Sequence, residues 1–106
     1  MYNDFTKGIL KSISINDGAI ESNQKLYVIL DNFSHVELYI GNKISFRVKG
    51  DAYLTAMIKW VATAIQDKKN IHNITLEELV NKFAIPEYKI RNAVQIIELI
   101  EKIDER

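Results

Sequence analysis

The chain contains no cysteine, and that one absence excludes disulfides, thiolate nucleophiles and sulfur-ligated zinc or iron together. It has only one proline and four glycines, and neither a glycine-rich phosphate loop nor a nucleophile elbow can be found among them. Its two histidines, His35 and His72, fall in separate expected loops with no carboxylate cluster at ligand spacing. Both therefore read as surface residues, and no metal or cofactor is expected. Net charge is also missing. Residues 1–50 carry six basic and five acidic side chains and residues 51–106 eight and nine, so no global field draws the chain toward nucleic acid. No run approaches the roughly 18 apolar residues of a membrane span. The start, Met1-Tyr2-Asn3-Asp4, lacks a basic head followed by an apolar stretch, so the expectation is a cytoplasmic protein with no membrane partner. The triplets at Asn32 and Asn73 then read as chance rather than as glycosylation sites.

What is present suits one α+β domain over residues 1–106. Hydrophobic residues make up 47% and charged residues 26% of the chain, enough apolar material for one core and too much for disorder. From Lys7 to Lys49 the apolar residues alternate, which predicts an antiparallel β-meander of four to five strands. Ile9, Ile13 and Ile15 would share a face of the first strand, Leu26, Val28 and Leu30 of the second, Val36, Leu38 and Ile40 of the third, and Ile44, Phe46 and Val48 of the fourth. The turn signal Asn16-Asp17-Gly18 leaves room for a short extra strand at residues 19–22. A three-residue loop, Gly41 to Lys43, sets Ile40 beside Ile44 and Leu38 beside Phe46; a five-residue loop, Asp31 to His35, pairs Leu30 with Val36. On that register Tyr27, Tyr39 and Arg47 share the open face.

At Gly50-Asp51 the period changes from 2 to 3.6. Leu54, Met57, Ile58, Val61 and Ile65 predict a helix from about Asp51 to Lys68. Thr75 followed by Glu78, with Ile74 and Leu79 flanking, predicts a capped second helix that ends before Pro86. A third helix begins at Pro86 or Glu87 and runs to the C-terminus, with Ile90, Val94, Ile97 and Ile100 as one stripe and Ile96, Leu99 and Ile103 as another. The second stripe exceeds what a terminal helix usually buries, so Ile96, Leu99 and Ile103 are candidates for a homodimer seam.

The segment from Leu76 to Ile97 resembles the helix-turn-helix unit of winged-helix and related DNA-binding proteins. Leu79, Val80 and Phe83 match the buried side of its first helix, Ala84-Ile85 the turn, and Ile90 and Val94 the buried side of its recognition helix. Ala84 stands where glycine is common, and its Cβ resists positive φ. The resemblance implies that Tyr88, Lys89, Arg91, Asn92 and Gln95 face double-stranded DNA, through chemistry suited to base edges and phosphate. It implies a small DNA-binding or transcription-associated protein, dimeric and not an enzyme. The alternative is a non-catalytic protein-interaction module, an accessory subunit that docks through the same helix or through an open sheet edge.

Overall fold

Apolar spacing at the N-terminus turns out to be helical. Phe5, Ile9 and Ile13 recur at four-residue intervals, and Asn3 caps the segment by accepting from the Thr6 N–H at 2.8 Å. In the computed structural model, which describes residues 2–32 and 34–103, this stretch is helix α1, Asp4–Lys11. A short 3₁₀ turn, Ile15–Gly18, follows it. The expected first strand and the extra strand at 19–22 are therefore replaced by a helix, a turn and extended chain. The alternation of Ile13 with Ile15 was too short to outweigh a capped amphipathic turn.

Three strands follow, β1 (Lys25–Leu30), β2 (His35–Ile40) and β3 (Ile44–Lys49), in one antiparallel sheet of order β1-β2-β3. The β2–β3 pairing is as expected, with Ile40 opposite Ile44 and Leu38 opposite Phe46. The β1–β2 pairing is not. Leu30 lies opposite His35 and Ile29 opposite Val36, one residue away from the expected register. Asp31 is the reason. Its Oδ1 accepts from the Ser34 N–H at 2.8 Å and its N–H donates to the Ser34 carbonyl at 3.0 Å, which closes a tight turn. A one-residue slip exchanges the faces of a strand. Tyr27 and Ile29 therefore point to the core, and Leu26, Val28 and Leu30 take the other face.

The remaining elements are α2 (Ala52–Gln66), α3 (Leu76–Phe83) and α4 (Ile90–Lys102), the last preceded by a 3₁₀ turn at Glu87–Lys89. Thr75 Oγ1 accepts from the Glu78 N–H at 3.1 Å, so α3 starts at its expected cap. Helices α2 and α4 pack side by side on the Val36–Leu38–Ile40–Phe46 face of the sheet, and α1 covers α2 and α3. α1 also finishes α3: the buried Thr6 hydroxyl donates to the Phe83 carbonyl at 3.1 Å and Asn3 Nδ2 donates to the Lys82 carbonyl at 3.0 Å, partners those terminal carbonyls lack within the helix. Phe83, fully buried, takes the edges of Phe5 and Trp60 at centroid distances of 5.2 and 5.9 Å.

The proposed dimer seam belongs to this core. Ile96 and Leu99 are fully buried and Ile103 nearly so, because α4 packs against α2, α3 and β1 of the same chain. Residues 104–106, into which the third helix was expected to run, lie outside the described residues.

Ala84 ends α3 at φ 50°, ψ 50°. A left-handed conformation costs a residue with a Cβ about 1–2 kcal/mol, and the site is exposed, so no packing depends on the methyl group. Ala84→Gly is expected to raise stability by roughly 0.5–1 kcal/mol after the added flexibility of the unfolded chain is subtracted. Urea unfolding monitored by circular dichroism checks this as a rise in midpoint at unchanged slope.

Candidate functional site

Two aspartates at one end of the sheet organise the most extensive polar network in the described residues. Asp31 closes the β1–β2 turn and Asp51 is the N-cap of α2, its Oδ1 accepting from the Leu54 N–H at 3.0 Å. Gly50 lets the two turns approach each other. A Cβ at that position would stand 2.8 Å from Leu54 Cδ2 and 3.3 Å from Ser34 Cβ, too close for either neighbour to stay in place.

The first turns of α4 and the 3₁₀ turn before it lie against both carboxylates. Asp31 Oδ2 accepts from Gln95 Nε2 at 2.7 Å and from Arg91 Nε at 3.1 Å. The Ser34 hydroxyl is shared between Asp31 Oδ1 at 3.1 Å and Gln95 Oε1 at 3.0 Å. Asp51 Oδ2 accepts from Asn92 Nδ2 at 2.7 Å and from Lys89 Nζ at 2.8 Å. Each acid thus holds one amide and one cation of the same segment, and the charges cancel pairwise.

Burial pushes the Asp51 carboxyl up, but the donors Lys89, Leu54 N–H and Asn92 outweigh it and hold the group below the ordinary aspartate value. The hydrogen bond to Asp51, reinforced by its charge, raises Lys89 above the usual lysine value. Next to this pair Tyr2 meets Tyr53 edge-on at 4.7 Å. Burial raises the Tyr53 hydroxyl above its ordinary value, with Tyr2, Tyr88 and Asp51 adding to the shift.

The five side chains expected to face DNA are therefore brought together, but with different neighbours. Gln95 is 2% exposed and bonded inward. Asn92 is half-buried against Asp51, and Lys89 and Arg91 are each paired with an aspartate. Tyr88 stands out at 82% exposure, with Lys89 Nζ 6.0 Å from its ring centroid. Asp31 and Asp51, the acceptors that organise the group, were read only as a loop residue and a helix start. The signals available for them were Asp31 three residues before Ser34, as in an Asx-type turn, and Asp51 in an N-cap position.

The second face of the sheet has a different character. Cross-strand rows there run Leu26–Tyr39–Ser45, Val28–Glu37–Arg47 and Leu30–His35–Lys49. The register change puts Tyr27 on the covered face, so Tyr39 and Arg47 share the open side without it. Along β2, the Tyr39 hydroxyl donates to Glu37 Oε1 at 2.7 Å, and Glu37 Oε2 lies 3.1 Å from His35 Nε2. The bond to Glu37, with burial next, raises the Tyr39 hydroxyl above its ordinary value. Ser45 is buried, donating to the Ala19 carbonyl at 2.7 Å. Leu26 and Leu30 are 46% and 68% exposed.

At the opposite end of the sheet an open cleft lies between the β2–β3 turn and the end of α2, with Lys68, Lys69 and His72 at its rim. No group of three or more His, Asp or Glu side chains converges at metal-ligand spacing among the described residues. No helix there is long and apolar enough to cross a membrane. No protein-family model matches the chain, and no curated protein matches it.

Asp51→Asn keeps an N-cap acceptor for Leu54 but removes the charge that Lys89 meets. Because the folded-state value of Asp51 is depressed, its contribution is present above the ordinary aspartate value of about 3.9 and is lost as pH falls through the depressed value. The variant should be less stable than the parent at pH 7, and the difference should shrink on acidification below about pH 4. Urea unfolding across a pH series measures both.

Proposed function

We propose that the chain is a non-catalytic protein-interaction module, an accessory subunit whose contact surface is the open face of the β1–β2–β3 sheet. The observation that carries this reading is the column of Leu26, Val28 and Leu30 on β1, with Leu30 68% exposed, on a face that no helix covers among the described residues. A sheet face left to water normally alternates to polar side chains, whereas an apolar column with a polar rim is typical of a contact patch.

The chemistry of the face points to the partner's character. On β2 the Tyr39 hydroxyl bonds to Glu37, while His35 Nε2 lies 3.1 Å from the Glu37 carboxylate but is buried without a hydrogen-bond partner among the described residues, and β3 contributes exposed Arg47 and Lys49. An apolar strip beside two cations suits a protein surface with apolar side chains flanked by carboxylates.

DNA binding through α4 has less support. Its cations Lys89 and Arg91 already meet Asp51 and Asp31, and Gln95 is buried. Reading bases would require those contacts to open, while the charge needed for phosphate attraction is already cancelled.

Two measurements separate the readings. Titration with generic duplex DNA at low salt should give binding weaker than roughly 10⁻⁴ M. In native extract, a Leu26→Asp/Leu30→Asp variant should lose by at least tenfold the partners that the parent retains, while Lys89→Ala/Arg91→Ala keeps them. Retention by the first variant together with loss by the second would reverse the assignment.

A further inference from the structure

The cleft between the β2–β3 turn and the end of α2 has a volume of about 820 Å³, within the range of small-molecule sites. Ile44, Ile65, Ile71 and Ile103 give it an apolar floor, and the amides of Asn42, Gln66 and Asn70 stand around them. Lys68 and Lys69 supply positive charge at the rim, and no carboxylate is among the described residues that line it.

The end of α2 places both lysines there. The Lys69 N–H donates to the Ala64 carbonyl at 2.9 Å and the Lys68 N–H to the Ile65 carbonyl at 3.0 Å, the paired bonds of a Schellman turn. Lys68 occupies its left-handed position, at φ 61°. The Asp67 N–H donates to the Thr63 carbonyl at 2.9 Å. Backbone amides therefore close this helix end, and the two ammonium groups are not spent on its carbonyls. Neither forms a hydrogen bond or ion pair with a described residue. Lys43, in the neighbouring β2–β3 turn, is different: its Nζ donates to the Asn16 carbonyl at 2.6 Å and the Ala19 carbonyl at 3.1 Å. His72 Nε2 lies 3.0 Å from the Ile103 carbonyl. A carbonyl only accepts, so Nε2 carries the proton, and this bond ties the 3₁₀ turn at Ile71–Asn73 to the end of α4. Asn70 Oδ1 accepts from the His72 N–H at 3.0 Å, which leaves its amide NH₂ to donate elsewhere.

We infer that this cleft binds a small phosphate monoester with an aliphatic body. Two lysines match the charge of about −1.5 to −2 that a monoester carries near neutral pH. An ammonium is a point charge that suits phosphate oxygens, and no arginine lines the cleft to offer the planar fork that favours a carboxylate. No aromatic side chain lines it to stack a nucleobase, whereas the isoleucine floor suits an alkyl chain. The site shares no residue with the Leu26–Val28–Leu30 column and does not depend on the sheet-face reading.

Titration of the isotope-labelled chain with n-butyl phosphate, inorganic phosphate and 1-butanol, followed by amide chemical shifts at fixed ionic strength, tests this. Butyl phosphate should shift the amides of Asn42, Lys68, Lys69, His72 and Ile103 with a Kd of about 1 mM or tighter. Inorganic phosphate, which cannot use the apolar floor, should bind at least about fivefold more weakly, and 1-butanol should produce no shift. Lys68→Gly removes one cation while relaxing the left-handed position, so it should weaken binding about fivefold without lowering the urea midpoint. Lys69→Ala should weaken it in the same direction. The inference is overturned by an absence of shifts at about 10 mM ester, by equal affinity for ester and inorganic phosphate, or by equal binding of 1-butanol. Shifts confined to the sheet face, or a Lys68→Gly variant that binds as tightly as the parent, overturn it as well. The Leu26→Asp/Leu30→Asp variant should bind the ester as the parent does, so failure of either reading leaves the other standing.

Discussion

Asp51 ties the molecule together. Its carboxylate begins α2 by accepting from the Leu54 N–H and fixes the start of α4 by accepting from Asn92 and Lys89. The same residue follows Gly50, at the point where β3 leaves the sheet. Strand, central helix and terminal helix therefore share one acceptor group. A carboxylate with three donors is a strong, directional fastening, and it sets the angle at which α4 lies across α2 and β1. Asp31 repeats the arrangement one turn further along α4. With its first two turns held this way, α4 buries Ile96, Leu99, Ile100 and Ile103 in the core and leaves Val94 37% exposed.

That geometry explains why Ile96, Leu99 and Ile103, the isoleucine-rich stripe that suggested a dimer seam, are spent on the chain's own core. A helix with a single neighbour buries one stripe, and a second apolar stripe signals a second neighbour. Sequence alone does not reveal whether that neighbour is another molecule or another part of the same chain. Here the neighbours are α2, α3 and β1 of the same chain. The polar residues of α4 pose the same ambiguity. Arg91, Asn92 and Gln95 have the chemistry to read a base edge, and the same chemistry satisfies an aspartate 41 to 64 residues away in sequence.

Legibility followed the range of the interactions. The α2 and α3 starts, the β2–β3 register and the shift from alternating to helical period at Gly50 were all readable, because caps, turn length and spacing are local. The β1–β2 register failed by one residue because Asp31 selects a tight turn over an open loop, a choice made by one side-chain hydrogen bond. α1 failed because Ile9 and Ile13, four residues apart, fit both periods, with Ile15 extending the alternation and Phe5 the helical spacing over so few residues. The Asn3 cap, with Asp4 in the first turn and Lys11 in the last, was the information that separated them. The site was half legible: its α4 members were named together, whereas the acceptors Asp31 and Asp51 depend on long-range placement.

The one-residue register change also decides where the surface lies. In the expected register Leu26, Val28 and Leu30 would sit on the helices and Tyr27 would be in water. The observed register gives Tyr27 and Ile29 to the core and leaves three aliphatic side chains on the outside. Two registers of one strand usually differ because the wrong one exposes the apolar set, but β1 is apolar on both faces, Leu-Val-Leu on one and Tyr-Ile on the other. The hydrophobic effect therefore discriminates little between them, and the Asp31 turn, anchored to Gln95 and Arg91 of α4, makes the selection. A strand apolar on both faces is characteristic of a strand covered on both sides. In this chain the helices cover one side, and Leu26, Val28 and Leu30 lie on the other.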